Sequence, residues 1–78
     1  MTVVVGHVSD AATGMPVENA TVVIGTNFDL TNESGDFIVR LEGSGRYKMS
    51  VIQRYYKKFS QEVSIMGDTD MNIHLFRE

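Results

Sequence analysis

Apolar side chains recur at every second position in short runs, so each run has one apolar face and one polar face, as a strand does and a helix does not. The first run sets Val4, Gly6 and Val8 on one face and Val3, Val5 and His7 on the other. Ala20, Val22 and Ile24 form a second inward set, and Phe28–Thr31 is a weaker third strand. Phe37, Val39 and Leu41 alternate next, followed by Tyr47, Met49 and Val51. Phe59, Gln61, Val63 and Ile65 share a parity that polar Gln61 interrupts, and Met71, Ile73 and Leu75 close the series. Between the runs lie turn formers: Ser9–Pro16 with the only proline, Asn32–Asp36, Glu42–Gly45 and Gly67–Asp70. Two adjacent hairpins follow, one turning at Asn32–Asp36 and the next at Glu42–Gly45. Short strands with one apolar face each must pack sheet on sheet, which predicts an all-β, seven-stranded antiparallel Greek-key-type sandwich, one domain over residues 1–78.

Composition narrows the class of protein. Hydrophobic residues make up 42% and charged residues 22% of the 78, the balance of a folded globular domain rather than a disordered tail. Scaling by length gives a total stability of roughly 4 to 12 kcal/mol. With no cysteine, packing alone must supply it. The net charge of −3 argues against a nucleic-acid partner, which needs a concentrated positive field. No apolar run approaches the roughly 20 residues that span a bilayer, so direct membrane insertion is not expected. Any targeting segment is expected to lie outside this chain.

Candidate chemistry is sparse. His7 and His74 fall on the outward parity of the first and last strands and become surface neighbours if those strands lie side by side. They make two ligands where a zinc site needs three or four, so no metal and no cofactor is expected. The acidic turns Asn32–Asp36 and Gly67–Asp70 lack the regular spacing of a calcium loop and read as turn chemistry. No nucleophile, base and orienting group can be nominated together, so an enzyme is not expected. Asn19-Ala20-Thr21 and Asn32-Glu33-Ser34 fit the acceptor pattern for N-glycosylation, a pattern that arises often by chance.

The unusual local cluster is Arg54-Tyr55-Tyr56-Lys57-Lys58-Phe59, where positive charge alternates with rings. Such a mixture can stack on sugars and attract an anionic polymer, which makes Arg54, Tyr55, Tyr56 and Lys57 the candidate interaction patch. The plainer reading is that Tyr56 and Phe59 anchor a strand junction while Arg54, Lys57 and Lys58 keep their heads in water and guard an edge.

The chain also resembles the carboxypeptidase regulatory-like domain, a transthyretin-like (prealbumin-like) sandwich, over nearly its whole length. The resemblance rests on Gly6-His7-Val8, Asp10, Thr13-Gly14, Pro16 and Ala20-Thr21-Val22-Val23-Ile24. Gly25-Thr26, Thr31-Asn32-Glu33-Ser34-Gly35-Asp36-Phe37 and Gly45-Arg46-Tyr47-Lys48-Met49-Ser50-Val51 continue it. Asn32 stands where the family usually has Asp, and Tyr55-Tyr56 where it usually has Gly-Tyr. The resemblance implies a non-catalytic accessory module, a spacer or docking domain of a larger exported, periplasmic or cell-surface protein. The implied partners are neighbouring domains of the same polypeptide or another protein, with a monomer favoured over a dimer. The alternative is a module that binds a glycan or anionic polymer through Arg54–Phe59.

Overall fold

The computed structural model describes residues 1–78. Seven strands form in the order β1 (Thr2–Asp10), β2 (Thr21–Ile24), β3 (Asn27–Leu30), β4 (Asp36–Leu41), β5 (Gly45–Ile52), β6 (Phe59–Ile65) and β7 (Thr69–Leu75). They make two sheets, a three-stranded one ordered β4-β1-β7 and a four-stranded one ordered β3-β2-β5-β6. The period-two pattern decides which side chains meet between the sheets. Val4, Val8, Val22, Ile24, Val39, Leu41, Met49, Val51, Ile73 and Leu75 are all buried there, and Phe37 joins them. Tyr47 is half-buried, and its hydroxyl donates to the Gly43 carbonyl oxygen at 2.6 Å. No buried side-chain nitrogen or oxygen lacks a hydrogen-bond partner.

Neither expected hairpin forms. β3 and β4 belong to different sheets, as do β4 and β5, so the Asn32–Asp36 and Glu42–Gly45 turns are arches that carry the chain across the sandwich. The first arch closes on itself. Gly35 N–H donates to the Asn32 carbonyl at 2.9 Å and Asn32 N–H to that of Asp36 at 3.0 Å, while the Gly35 carbonyl accepts from Val8 N–H in β1 at 2.8 Å. Gly35 has φ 79°, and a Cβ there would lie 2.5 Å from the Val8 carbonyl oxygen, so only glycine brings the arch this close to β1. The hairpins that do form are β2–β3 and β5–β6.

The pairings are antiparallel except one: β1 and β7 run parallel, with Val4 opposite Thr69 and Asp10 opposite Leu75. The cause is parity. Every connection reverses the chain, so odd-numbered strands share a direction. β1 with β7 is the one neighbouring pair in which both are odd. β1 occupies the centre of its sheet, where Gly6 packs under the Phe37 ring.

Candidate functional site

The polar centre of the molecule lies where β1 ends. Asp10 continues the inward parity of Val4, Gly6 and Val8, which drives its carboxylate inside, and its side chain is only 2% exposed. A buried carboxylate must be bonded on all sides. Oδ1 accepts the backbone N–H groups of Ala12 (2.8 Å) and Thr13 (3.2 Å). Oδ2 accepts the Tyr56 hydroxyl and Arg77 Nε, both at 2.8 Å. The Asp10 backbone also holds the loop, its carbonyl accepting Gly14 N–H and its N–H donating to the Met15 carbonyl. The Arg77 hydrogen bond, then those from Tyr56 and Ala12, hold the Asp10 carboxyl well below the usual carboxylate range against the opposing effect of burial. Burial first, then the bond to Asp10, pushes the Tyr56 phenol up. The Asp10 hydrogen bond raises Arg77 further. The Arg77 guanidinium lies 5.5 Å from the Tyr56 ring centroid, with its side chain 64% exposed.

This arrangement divides the Arg54–Phe59 segment. Tyr56 turns toward the core and serves Asp10, whereas Tyr55 is 63% exposed with Arg54 at 5.6 Å over its ring. Lys57 N–H donates to the Phe76 carbonyl at 2.8 Å, and Glu78 N–H to that of Tyr55 at 3.3 Å, so the segment pairs with the residues after β7. Tyr55 keeps an ordinary negative φ, which is why no glycine is needed there. Asn32 fills the role of the family's usual Asp, its Oδ1 accepting the N–H groups of Ser34 (2.9 Å) and Asp36 (3.0 Å).

The histidines lie on neighbouring strands but take separate partners. His7 Nδ1 is 3.1 Å from Asp36 Oδ1, and His74 Nδ1 is 2.9 Å from Ser9 Oγ. In the other acidic turn Asp68 Oδ1 accepts the Val3 N–H at 2.9 Å, a structural bond to β1. Asn19 and Asn32 are both exposed, Asn19 with φ 61°. The Asp10–Arg77 pair is the contact that sequence reasoning missed. Its signal was present: an acid on the inward parity of a strand requires a cation, and Arg77 stands two residues beyond the last apolar position of the final strand.

Beside this cluster β6 and β7 diverge and leave a cleft of about 310 Å³ lined by Lys57, Lys58, Phe59, His74, Leu75 and Phe76. The Phe59 and Phe76 rings and Leu75 form the apolar part of its wall and Lys57, Lys58 and His74 the rest, with no acidic residue among them.

The fold recurs in other proteins. A chain of the type II cohesin–X-dockerin complex from Acetivibrio cellulolyticus, in a C-terminal interface mutant, superposes with a TM-score of 0.84 at 21% identity. The N-terminal interface mutant of that complex gives 0.81, also at 21%. In both cases 99% of this chain is covered, and it spans 58% of the matched chain. The 5-hydroxyisourate hydrolase of Klebsiella pneumoniae matches with a TM-score of 0.74 and 18% identity, over 100% of this chain and 92% of the hydrolase. At such identities the likeness establishes a shared fold and leaves chemistry open. No match emerges among curated protein sequences. The family model of the carboxypeptidase regulatory-like domain matches residues 3–76, and the chain belongs to that family.

Proposed function

We propose that residues 1–78 form a non-catalytic accessory unit, set in line within a larger exported or surface-attached protein, that spaces or docks its neighbours. The observation that carries this reading is the parallel pairing of β1 and β7. It sets the start of β1 and the end of β7 at opposite poles. A nine-residue strand is about 27 Å long. That exceeds two of the molecule's three dimensions, 33 × 20 × 16 Å, so the strands run along the long axis. A chain entering at one pole leaves at the other. The polar bonds of the Asp10 cluster all point inward, and three of the exposed apolar side chains, Phe28, Leu30 and Ile52, gather on the outer face of the four-stranded sheet. There Leu30, Thr21 and Ile52 stand abreast across β3, β2 and β5 with Phe28 next to them. An apolar row of this kind suits contact with another protein surface.

Amide hydrogen exchange tests the reading, measured on the 78-residue chain alone and within the larger protein. Slower exchange in the larger protein at either pole or along β3 and β5 is the expected result. Identical exchange at every amide overturns the docking role, and turnover of 5-hydroxyisourate by the purified chain overturns the non-catalytic one.

A second reading, recognition of a glycan, rests on the exposed Tyr55 ring with Arg54 over it. Titration with neutral and anionic oligosaccharides checks it. Saturable shifts at Arg54 and Tyr55 that vanish in Tyr55→Ala support it, and a silent spectrum removes it.

A further inference from the structure

The flank between β6 and β7 differs from the rest of the sandwich in having an unfinished ladder. In the parallel β1–β7 pairing the Leu75 carbonyl accepts Ala11 N–H, while the next carbonyl, that of Phe76, points the other way and accepts Lys57 N–H. Alternation along a strand therefore turns the backbone N–H and C=O of Asn72 and His74 toward the same side as Phe76, away from β1. The Glu78–Tyr55 and Lys57–Phe76 bonds are the rungs made on that side. Beyond them the chain turns into β6, which pairs with β5 and leaves the next rungs of β7 open.

The cleft of about 310 Å³ sits at this point of divergence. Phe59 is half-buried in the core at its edge, and Phe76 is 66% exposed. Lys57 and Lys58 flank the rings, and neither takes part in an ion pair in a chain whose net charge is −3. Unpaired cations beside an apolar wall and an open strand edge are complementary to one kind of occupant. We propose that the β6–β7 cleft binds an extended peptide segment of a partner protein, which adds to the free edge of β7 at Asn72 and His74. Its acidic side chains lie against Lys57 and Lys58, and an apolar side chain rests on Phe59 and Phe76. Backbone rungs spaced two residues apart suit a peptide; a sugar chain offers no matching series of donors and acceptors. Asp70, further along β7, confines the acidic residues of the peptide to the lysine end. This surface rests on the docking role proposed above and names the chemistry of what docks.

The test is a ¹⁵N-resolved NMR titration of the 78-residue chain with acetyl-Glu-Glu-Leu-Thr-Val-Thr-amide. Its Gln-Gln analogue and a sulfated heparin tetrasaccharide serve as parallel probes. The proposal expects saturable shifts at Lys57–Phe59 and Asn72–Phe76. Binding should weaken about tenfold or more for the Gln-Gln analogue and for Lys57→Glu/Lys58→Glu. That double variant changes only exposed side chains, and an unchanged dispersed spectrum confirms that it folds. Absence of shifts, shifts centred elsewhere, equal binding of both peptides, or saturation by the tetrasaccharide with a silent peptide each overturns it. None of these results alters hydrogen exchange in the larger protein, so this surface and the docking role fail separately.

Discussion

The β3–β4 side of the sandwich and the β6–β7 side are built from strands of similar alternation, yet the first is sealed and the second stands open. On the sealed side Asp29 reaches across from β3, and its Oδ2 accepts the outward N–H of Ile38 in β4 at 2.9 Å. Buried Thr31 stitches the same side, its Oγ1 accepting Ala20 N–H and donating to the Val17 carbonyl. Phe37, Val39 and Leu41 are consequently buried. On the open side no such side chain spans the edges, and Phe59, Val63 and Met71 stay half-exposed although they hold inward positions. A three-stranded sheet cannot cover a four-stranded one, so the outermost strand keeps its apolar pattern without a full cover. Burial is thus decided by what lies opposite a strand as much as by the strand's own sequence.

The largest contrast between the two sides is expected from phenylalanine removal. Phe37→Ala takes a ring from the sealed side and should cost about 3–5 kcal/mol, a large share of the roughly 4 to 12 kcal/mol expected of a domain of this size. Phe59→Ala, on the open side, should cost roughly half as much. Urea denaturation of both variants measures the gap, and equal losses would show that the two sides are equally packed. Gly6→Ala comes next. A Cβ there would meet the Phe37 ring and lie 2.7 Å from the Met71 carbonyl oxygen. Overpacking at the centre of the three-stranded sheet should cost about 1–3 kcal/mol in the same experiment.

Asp10 adds a pH-dependent contrast at the pole near the open cleft. Its folded carboxyl lies well below the unfolded value, so the stability it contributes is complete above the ordinary carboxylate range and is lost as pH falls below about 4. Arg77→Ala brings the folded value back toward the ordinary one. The penalty of that substitution should therefore be largest at neutral pH and shrink in acid, as paired urea titrations at pH 7 and pH 3 would show. A penalty independent of pH would mean that Arg77 stabilises by packing over Tyr56 alone. The smallest effect is expected from Asp29→Ala, which frees the Ile38 N–H at about 1 kcal/mol. Because it also unblocks the β4 edge, light scattering should detect concentration-dependent self-association in this variant. A monomer at all concentrations would place the seal elsewhere.

Much of this architecture was legible in the residue pattern. A period of two places Val4, Val8, Val22, Ile24, Val39, Leu41, Met49, Val51, Ile73 and Leu75 on the apolar faces of their strands, and all are buried, because pleating fixes side-chain direction locally. The arches were not legible. Asn32–Asp36 and Glu42–Gly45 use the Gly, Asn and Ser of a hairpin turn, and only the pairing of β4 with β1 reveals that the chain has changed sheets. The parallel ladder was hidden for the same reason, since parity has meaning only once neighbours are known. Gln61 breaks the apolar pattern and is exposed, on the strand that lacks a full cover. In the candidate segment the alternation of charge and rings could not separate Tyr55 from Tyr56. Their division depends on Asp10, 46 residues away from Tyr56 in sequence.

The side-by-side placement of the first and last strands also fixes how the molecule bears load. Tension applied at its two ends pulls β1 and β7 past one another along their shared axis, from Val4–Thr69 to Asp10–Leu75. The rungs of the parallel ladder are then strained together in shear, where a hairpin pulled from its open end would release them one at a time. The Arg77–Asp10 bond lies at the pulled end of β7 and must yield before that strand can slide. The domain is therefore built to resist extension through the seven paired positions of this ladder, and its lifetime under force is set by the rate at which that ladder ruptures as a unit.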